Sequence, residues 1–208
     1  MGASGDEGLR ESEVDPDPFR QFDAWFRDAA AARLAQPEAM ALATATTDGR
    51  PSVRMVLLKG ADERGFVFYT NASSRKGQEL AANPRSAITM YWQPLHRQVR
   101  AAGTVAPLTQ DESDAYFATR PRGAQLAAAA SPQSRVIAGR EALIEEFDRL
   151  EAAHRGREVP RPAHWGGFRL VPDEIEFWQG RENRLHDRLL YTRDSTSPTG
   201  WTLERLAP

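Results

Sequence analysis

Apolar positions along the chain change period, and each change marks a change of predicted structure. Phe19, Phe22, Trp25, Phe26 and Ala29 recur at three- and four-residue steps, which places them on one face of a helix. Asp17 can cap that helix and Pro18 suits its first turn, so it is expected to start there and to end before Pro37. The pattern then shortens to the period of strands. Stretches 40–46 and 52–59 flank Asp48-Gly49, a strong hairpin signal. Further strands are expected over 66–70, 86–92 and 97–108, with a short helix over 74–82 stopped by Asn83-Pro84.

The middle of the chain is helical. Thr109 and Glu112 have capping-box spacing before a helix to about Thr119, which Pro121 interrupts. An Ala-rich helix is expected over 125–130, and Leu143, Ile144, Phe147 and Leu150 mark an amphipathic helix over 141–153. After Pro160 and Pro162, strands return at 167–171, 174–178, 189–193 and 201–206. This order predicts a mainly β, antiparallel fold with α additions, closed into a barrel because closure removes exposed strand edges. The small, polar and acidic residues 1–14 are expected to form a disordered arm, leaving 15–208 as a single domain.

Composition narrows the chemistry. The 208 residues carry a formal net charge of -2, so no global positive field draws the protein to nucleic acid or an anionic membrane. The absence of cysteine removes disulfides, thiolate metal sites and cysteine nucleophiles, and it fits a reducing cytoplasm, the expected location. No apolar run is long enough to cross a membrane, and no metal site is expected. No glycine-rich dinucleotide or Walker loop occurs, so a phosphate-bearing ligand must be held by side chains.

Cationic side chains recur where such a ligand would sit. Arg54 and Lys59 bracket an apolar strand and differ in parity, so they are free to touch different ligand parts. Arg75 and Lys76 open a helix, a natural phosphate site, although spacing alone favours a solvated basic turn. Gln98 can read a planar heterocycle edge or lie on a wet strand face. Tyr116 and Arg120, four apart, share a helix face, which suits either a phosphate dianion or a surface salt-bridge network. Near the C-terminal end, Arg184, His186 and Arg188 alternate with Leu185 and Asp187, and in an extended chain they project from one face. So dense a set of like charges needs an anion or acidic partners, and here the functional reading is preferred.

This last segment, Ile175 to Arg188, resembles the signature of the pyridoxine/pyridoxamine 5′-phosphate oxidase family. Asp17-Pro18-Phe19, the stretch Arg54 to Lys59, Phe68-Tyr69-Thr70-Asn71, Ser74-Arg75-Lys76 and Arg97-Gln98-Val99 match in order. So do Tyr116-Phe117, Arg120-Pro121-Arg122, Gln133-Ser134, Trp165-Gly166-Gly167-Phe168 and Arg205-Leu206-Ala207-Pro208.

The resemblance implies an FMN-binding split β-barrel with flanking helices, working as a homodimer with FMN between subunits. It implies FMN contacts from Arg54, Met55, Val56, Leu57, Lys59, Tyr69, Thr70, Arg75, Lys76, Gln98, Gln133, Ser134, Trp178 and Arg188. It implies that Lys59, Tyr116 and Arg120 hold the phosphate of a small phosphorylated pyridine, and that Arg184 and His186 cover its ring as the catalytic pair. The reaction implied is oxidation of pyridoxamine or pyridoxine 5′-phosphate to pyridoxal 5′-phosphate, with O₂ reduced to hydrogen peroxide. The alternatives are a related flavin oxidase of the phenazine-biosynthesis type and a non-enzymatic flavin or cofactor carrier. Two departures bear on the substrate. Ala124 stands where the family usually has a phosphate-binding serine, and the N-terminal stretch holds Arg10 but lacks the tyrosine that pairs with such an arginine in many members.

Overall fold

The computed structural model describes residues 8–208. Helix α1 (Pro18–Ala31) begins as the sequence requires, with the Phe19 N–H donating to the Asp17 carboxylate. Its face of Phe19, Phe22 and Trp25 is buried in the main core. Phe22 meets Phe66 edge-on at 5.1 Å and Trp25 meets Phe177 edge-on at 5.2 Å, fastening the helix to the sheet.

Among the described residues one antiparallel sheet contains β1 (Ala39–Ala45), β2 (Pro51–Leu57), β3 (Gly60–Asp62), β4 (Gly65–Asn71), β5 (Arg85–Trp92), β6 (Arg97–Pro107), β7 (Trp165–Gln179), β8 (Asp187–Arg193) and β9 (Trp201–Arg205). The order across the sheet is β2-β1-β5-β6-β7-β4-β3, with β8 on β7 and β9 on β8. The short β3 is absent from the sequence pattern. The two pieces expected at 167–171 and 174–178 are one long strand.

That strand explains why the barrel is split. β7 pairs with β6 along one edge, and its other edge is divided between β4 and β8. At the division the β6–β7 register shifts, because Gly103 faces Pro172 while Ala102 faces Glu174. Proline supplies no ladder donor, and the extra residue forms a bulge that bends the strand.

The closed barrel of the sequence reading is corrected here. β2 comes against β4, yet no ladder joins them among the described residues. The chain itself spans the gap. The Leu58 N–H donates to Glu38 C=O at 2.9 Å, and the next N–H, of Lys59, donates to Val67 C=O at 2.8 Å. β2 is therefore an edge strand beside a seam.

Four more helices lie outside the sheet: α2 (Arg75–Ala82), α3 (Gln110–Thr119), α4 (Arg122–Ala130) and α5 (Arg140–Ala153). Ser74 caps α2, and the Thr109/Glu112 capping box opens α3. Phe117, Leu126, Val159 and Trp165 form a second small core between the helices and β7.

Residues 8–14, expected within a disordered arm, instead pack against β8 and β9; residues 1–7 lie outside the described residues. Leu9 is buried, its N–H donates to Asp187 at 3.1 Å, and Arg205 donates to Leu9 C=O and pairs with Glu11, each at 2.7 Å. No helix among the described residues is long and apolar enough to cross a membrane.

Candidate active site

A cleft of about 450 Å³ opens at the seam beside β2. Five nearly consecutive residues, Arg54, Met55, Val56, Leu57 and Lys59, line it, so the strand presents its edge as well as alternate side chains. Tyr69 and Thr70 from the end of β4, Lys76 from α2, Tyr116 and Arg120 from the end of α3, and Gln133 complete the set. Eleven of the sequence-predicted residues thus share one cavity. Trp165 lines it too, although the sequence reading gave that residue no role.

Lys76 sits at the floor. Its ammonium donates to Gln133 Oε1 at 2.7 Å, Thr70 Oγ1 at 3.1 Å and Ser74 Oγ at 3.3 Å. No carboxylate pairs with it among the described residues. Burial, helped by the nearby Arg54 charge, pulls its pKa down to about 8.

Glu79, one turn along α2 from Arg75, is the buried acid of this corner. Ser52 and Thr44 each donate to Oε2 at 2.5 Å, Arg54 Nη2 donates at 3.3 Å, and Arg75 Nε donates to Oε1 at 2.8 Å. Burial alone would raise its pKa, but the hydroxyls and Arg75 outweigh it and hold the carboxyl at about 2. Arg75 is turned toward Glu79 and does not line the cleft. The i,i+4 spacing of Arg75 and Glu79 was the available signal for this pair.

Also lining the cleft, the Arg120 guanidinium lies 4.6 Å over the Trp165 ring, with Nη1 buried and, among the described residues, without a hydrogen-bond partner. Burial lowers its pKa. Tyr69 and Tyr116 stack at 3.9 Å beside it. The cleft is therefore lined by four cations, Arg54, Lys59, Lys76 and Arg120. Such a donor set fits a flavin phosphate and a second, smaller anion.

The remaining predicted residues lie elsewhere in the chain. Trp178 and His186 line a wider cavity of about 1070 Å³, with His96, Arg181 and Asp187. Their rings lie 4.6 Å apart, and His186 Nδ1 accepts from the Arg181 N–H at 3.0 Å. Gln98 is in β6 opposite Trp178, and Ser134 follows Gln133 with a φ of 71°.

The extended run of Arg184, His186 and Arg188 is corrected. Glu182–Arg184 is a 3-10 turn in which Asn183 and Arg184 take φ of 55° and 61°, so Arg184 does not alternate with the residues that follow. Arg188, the second residue of β8, forms a bidentate pair with buried Glu176 at 2.8 and 3.1 Å and donates to Ala207 C=O at 2.9 Å. The Glu176 hydrogen bonds raise its pKa. The acidic partner demanded by this cation cluster is thus Glu176 for Arg188, and Asp187 for Arg181.

Comparison with known proteins places this geometry. Residues 26–154 match the family model described as pyridoxamine 5′-phosphate oxidase, and residues 165–208 match that of the pyridoxine 5′-phosphate oxidase C-terminal dimerisation region. The chain is 57% identical over 200 residues to the pyridoxine/pyridoxamine 5′-phosphate oxidase of Burkholderia vietnamiensis, covering 96% of this chain and 93% of that one. It is 59% identical over 201 residues to the enzyme of the same name from Rubrobacter xylanophilus, covering 97% and 91%. Among solved structures, PhzG from Burkholderia lata 383, in complex with tetrahydrophenazine-1-carboxylic acid, superposes with a TM-score of 0.90 at 36% identity, covering 98% of each chain. An FMN-binding protein from Nostoc punctiforme shares the fold with a TM-score of 0.72 at 20% identity, covering 94% of this chain and all of that one.

Proposed function

Since the chain belongs to the pyridoxine/pyridoxamine 5′-phosphate oxidase family of enzymes, we propose that it is an FMN-dependent oxidase that converts pyridoxamine or pyridoxine 5′-phosphate to pyridoxal 5′-phosphate. The observation that carries this reading is the cleft lined by Arg54, Lys59, Lys76 and Arg120, the last of them with Nη1 buried and, among the described residues, without a partner. A site built for one phosphate has no need of four lining cations.

Lys76 and Arg54 hold the FMN phosphate, with Glu79 keeping the Arg54 guanidinium in place, while Arg75, expected to touch FMN, braces Glu79 from outside the cleft. The edge of β2 from Met55 to Leu57, with Tyr69, Thr70, Gln133 and Ser134, borders the flavin. When bound, FMN supplies the two-electron acceptor that O₂ reoxidises, releasing hydrogen peroxide. The protein binds and orients. Lys59, Tyr116 and Arg120 fix the substrate phosphate and so set the distance of its C4′ carbon from the flavin. Arg184 and His186 cover the pyridine ring and stabilise charge on it. With Nδ1 accepting from the Arg181 N–H, a neutral His186 offers Nε2–H as a donor toward substrate.

Within one chain the cleft and the His186 cavity are lined by different residues. A homodimer, working in the cytoplasm, brings the cleft of one copy to Gln98, Trp178, Arg184, His186 and Arg188 of the other. The matched dimerisation region, which contains all of these except Gln98, supports that arrangement.

The test is aerobic turnover of FMN-loaded protein with pyridoxamine 5′-phosphate, reading peroxide and aldehyde together. Arg120→Ala should raise KM for the phosphorylated substrate by roughly 10–100-fold, as expected for a lost charge-assisted contact. Absence of both products in the wild type would remove the vitamin B6 assignment.

A second reading has one observation in its favour. Ala124, half-buried on α4 beyond Arg120, supplies no hydroxyl to a phosphate, and a carboxylate-bearing ring of the kind bound to PhzG needs fewer donors. Oxidation of a reduced phenazine carboxylate, with the B6 vitamers inert, would establish that reading instead.

A further inference from the structure

We propose that Trp165 is a positioning residue that holds the Arg120 guanidinium ready for a phosphate, using its ring face in place of a carboxylate. The inference rests on the assignment of Arg120 to the substrate phosphate made above.

Four other arginines of the sheet and α2 are tied to acids. Arg54 and Arg75 share Glu79; Arg100 and Arg188 share Glu176. Arg120 differs. Among the described residues no carboxylate pairs with it, and its nearest charged-group support is aromatic, with the Trp165 ring at 4.6 Å and the Phe117 ring at 5.8 Å.

The difference has a chemical consequence. A carboxylate takes the N–H edge of a guanidinium, which is the edge a phosphate needs. A ring takes the flat face and leaves the edge open. Arg120 Nη1 is buried with no partner, as expected of an arginine held by its face and waiting for an acceptor. Burial also disfavours its charge, so an arriving dianion gains more than it would at a solvated arginine.

Trp165 is itself held firmly enough to serve as a platform. Its backbone N–H donates to Pro162 C=O at 2.9 Å, and its backbone C=O accepts from Arg161 Nη1 at 2.5 Å. Its ring lies nearly parallel to those of Tyr69 and Tyr116, at 12° and 4°. The indole face therefore meets Arg120 directly, while Tyr116 stacks on Tyr69 beside it.

The test uses FMN-loaded protein with Trp165→Phe and Trp165→Leu. For Trp165→Leu, KM for pyridoxamine 5′-phosphate should rise about tenfold, and kcat/KM should fall several-fold more for pyridoxamine 5′-phosphate than for unphosphorylated pyridoxamine. Trp165→Phe should restore most of the loss, because a smaller ring still offers a face. In parallel, calorimetric titration of the FMN-loaded protein with inorganic phosphate should show the same order of weakening. That measurement needs no turnover. A wild type that binds phosphate through Arg120 yet oxidises neither vitamer would sink the substrate assignment and leave the positioning claim standing. An equal loss for both amines, a loss in kcat alone, or unchanged phosphate affinity in both variants would overturn the claim. Should the leucine variant lose its fold, the phenylalanine variant decides: a phosphate-selective weakening upholds the role, and no selectivity ends it.

Discussion

Lys76 is buried against neutral partners, and its ammonium is pulled down to about 8 by burial and by the Arg54 charge. A bound phosphate reverses that balance and raises it again, so FMN binding takes up a proton wherever the empty site has lost one. The sign follows directly. Well below pH 8 the lysine is already charged and affinity is flat; above it affinity falls by up to about tenfold per pH unit. Flavin fluorescence titrations across that range check this, and a flat profile in the wild type would refute it. Lys76→Met should bind FMN weakly with no such slope. Arg188 gives the contrasting case, a cation whose pair is already made. Removing it leaves Glu176, 3% exposed, with only Arg100 at 3.2 Å. Losing one of two cationic partners of a buried carboxylate in this way costs about 1.5–3 kcal/mol. Arg188→Ala should therefore lose both unfolding free energy and FMN, whereas exposed Arg184→Ala should keep its stability within about 0.5 kcal/mol and lose turnover. Equal denaturation midpoints for the two variants would contradict this division.

Elements carry the argument at β6 and β7. A Cβ on Gly103 would lie 2.1 Å from the Val171 carbonyl oxygen and 2.7 Å from Pro172 Cα, both backbone atoms that a side chain cannot push aside cheaply. Gly103→Ala should cost at least about 1–3 kcal/mol, seen as a lower urea midpoint with unchanged slope. Because this bulge stands where β4 gives way to β8 along β7, the same variant should also loosen FMN binding; full retention of both would show that the bulge is incidental. Much of the fold was legible in such local patterns. The Asp17 cap, the Thr109/Glu112 box and the Asp48-Gly49 turn are short-range chemistry and sit where the sequence put them. What alternation could not show was closure. Whether a curled sheet seals depends on which distant strands meet, and at Leu58–Lys59 the seam is bridged by two consecutive N–H groups that no hydropathy pattern distinguishes. The site divides in the same way. The basic runs announced the cations, but Glu79 and Glu176 read as ordinary strand and helix acids, because their importance lies in being buried among arginines from other elements. The alternation of Arg184, His186 and Arg188 misled for a related reason: it presumes extended backbone, and the chain turns at Asn183.

At the scale of the whole molecule, the question is how the cleft beside β2 meets the His186 cavity, lined by other elements of the same chain. Val53 and Met55 on β2 and Tyr91 on β5 are 68, 63 and 54% exposed, an apolar surface next to the cleft that a second copy can cover. In the homodimer proposed above, each site draws Lys76 and Arg120 from one chain and His186 from the other, and this can be tested without a ligand-bound structure. Lys76→Met disables the cleft contributed by its own chain, and His186→Ala disables the other contribution. Each variant alone should be nearly inactive. If the site is shared, a dimer with one chain of each kind contains one site with both defects and one site with neither. After the two proteins are unfolded and refolded together in equal amounts, half of the dimers are mixed and half of their sites are intact, so about a quarter of wild-type activity should return. If each chain builds its site alone, no arrangement of the two variants contains an intact site, and activity should stay at the level of the separate proteins. Light scattering on the same samples supplies the control, since recovery counts as evidence for a shared site only when the refolded material is dimeric.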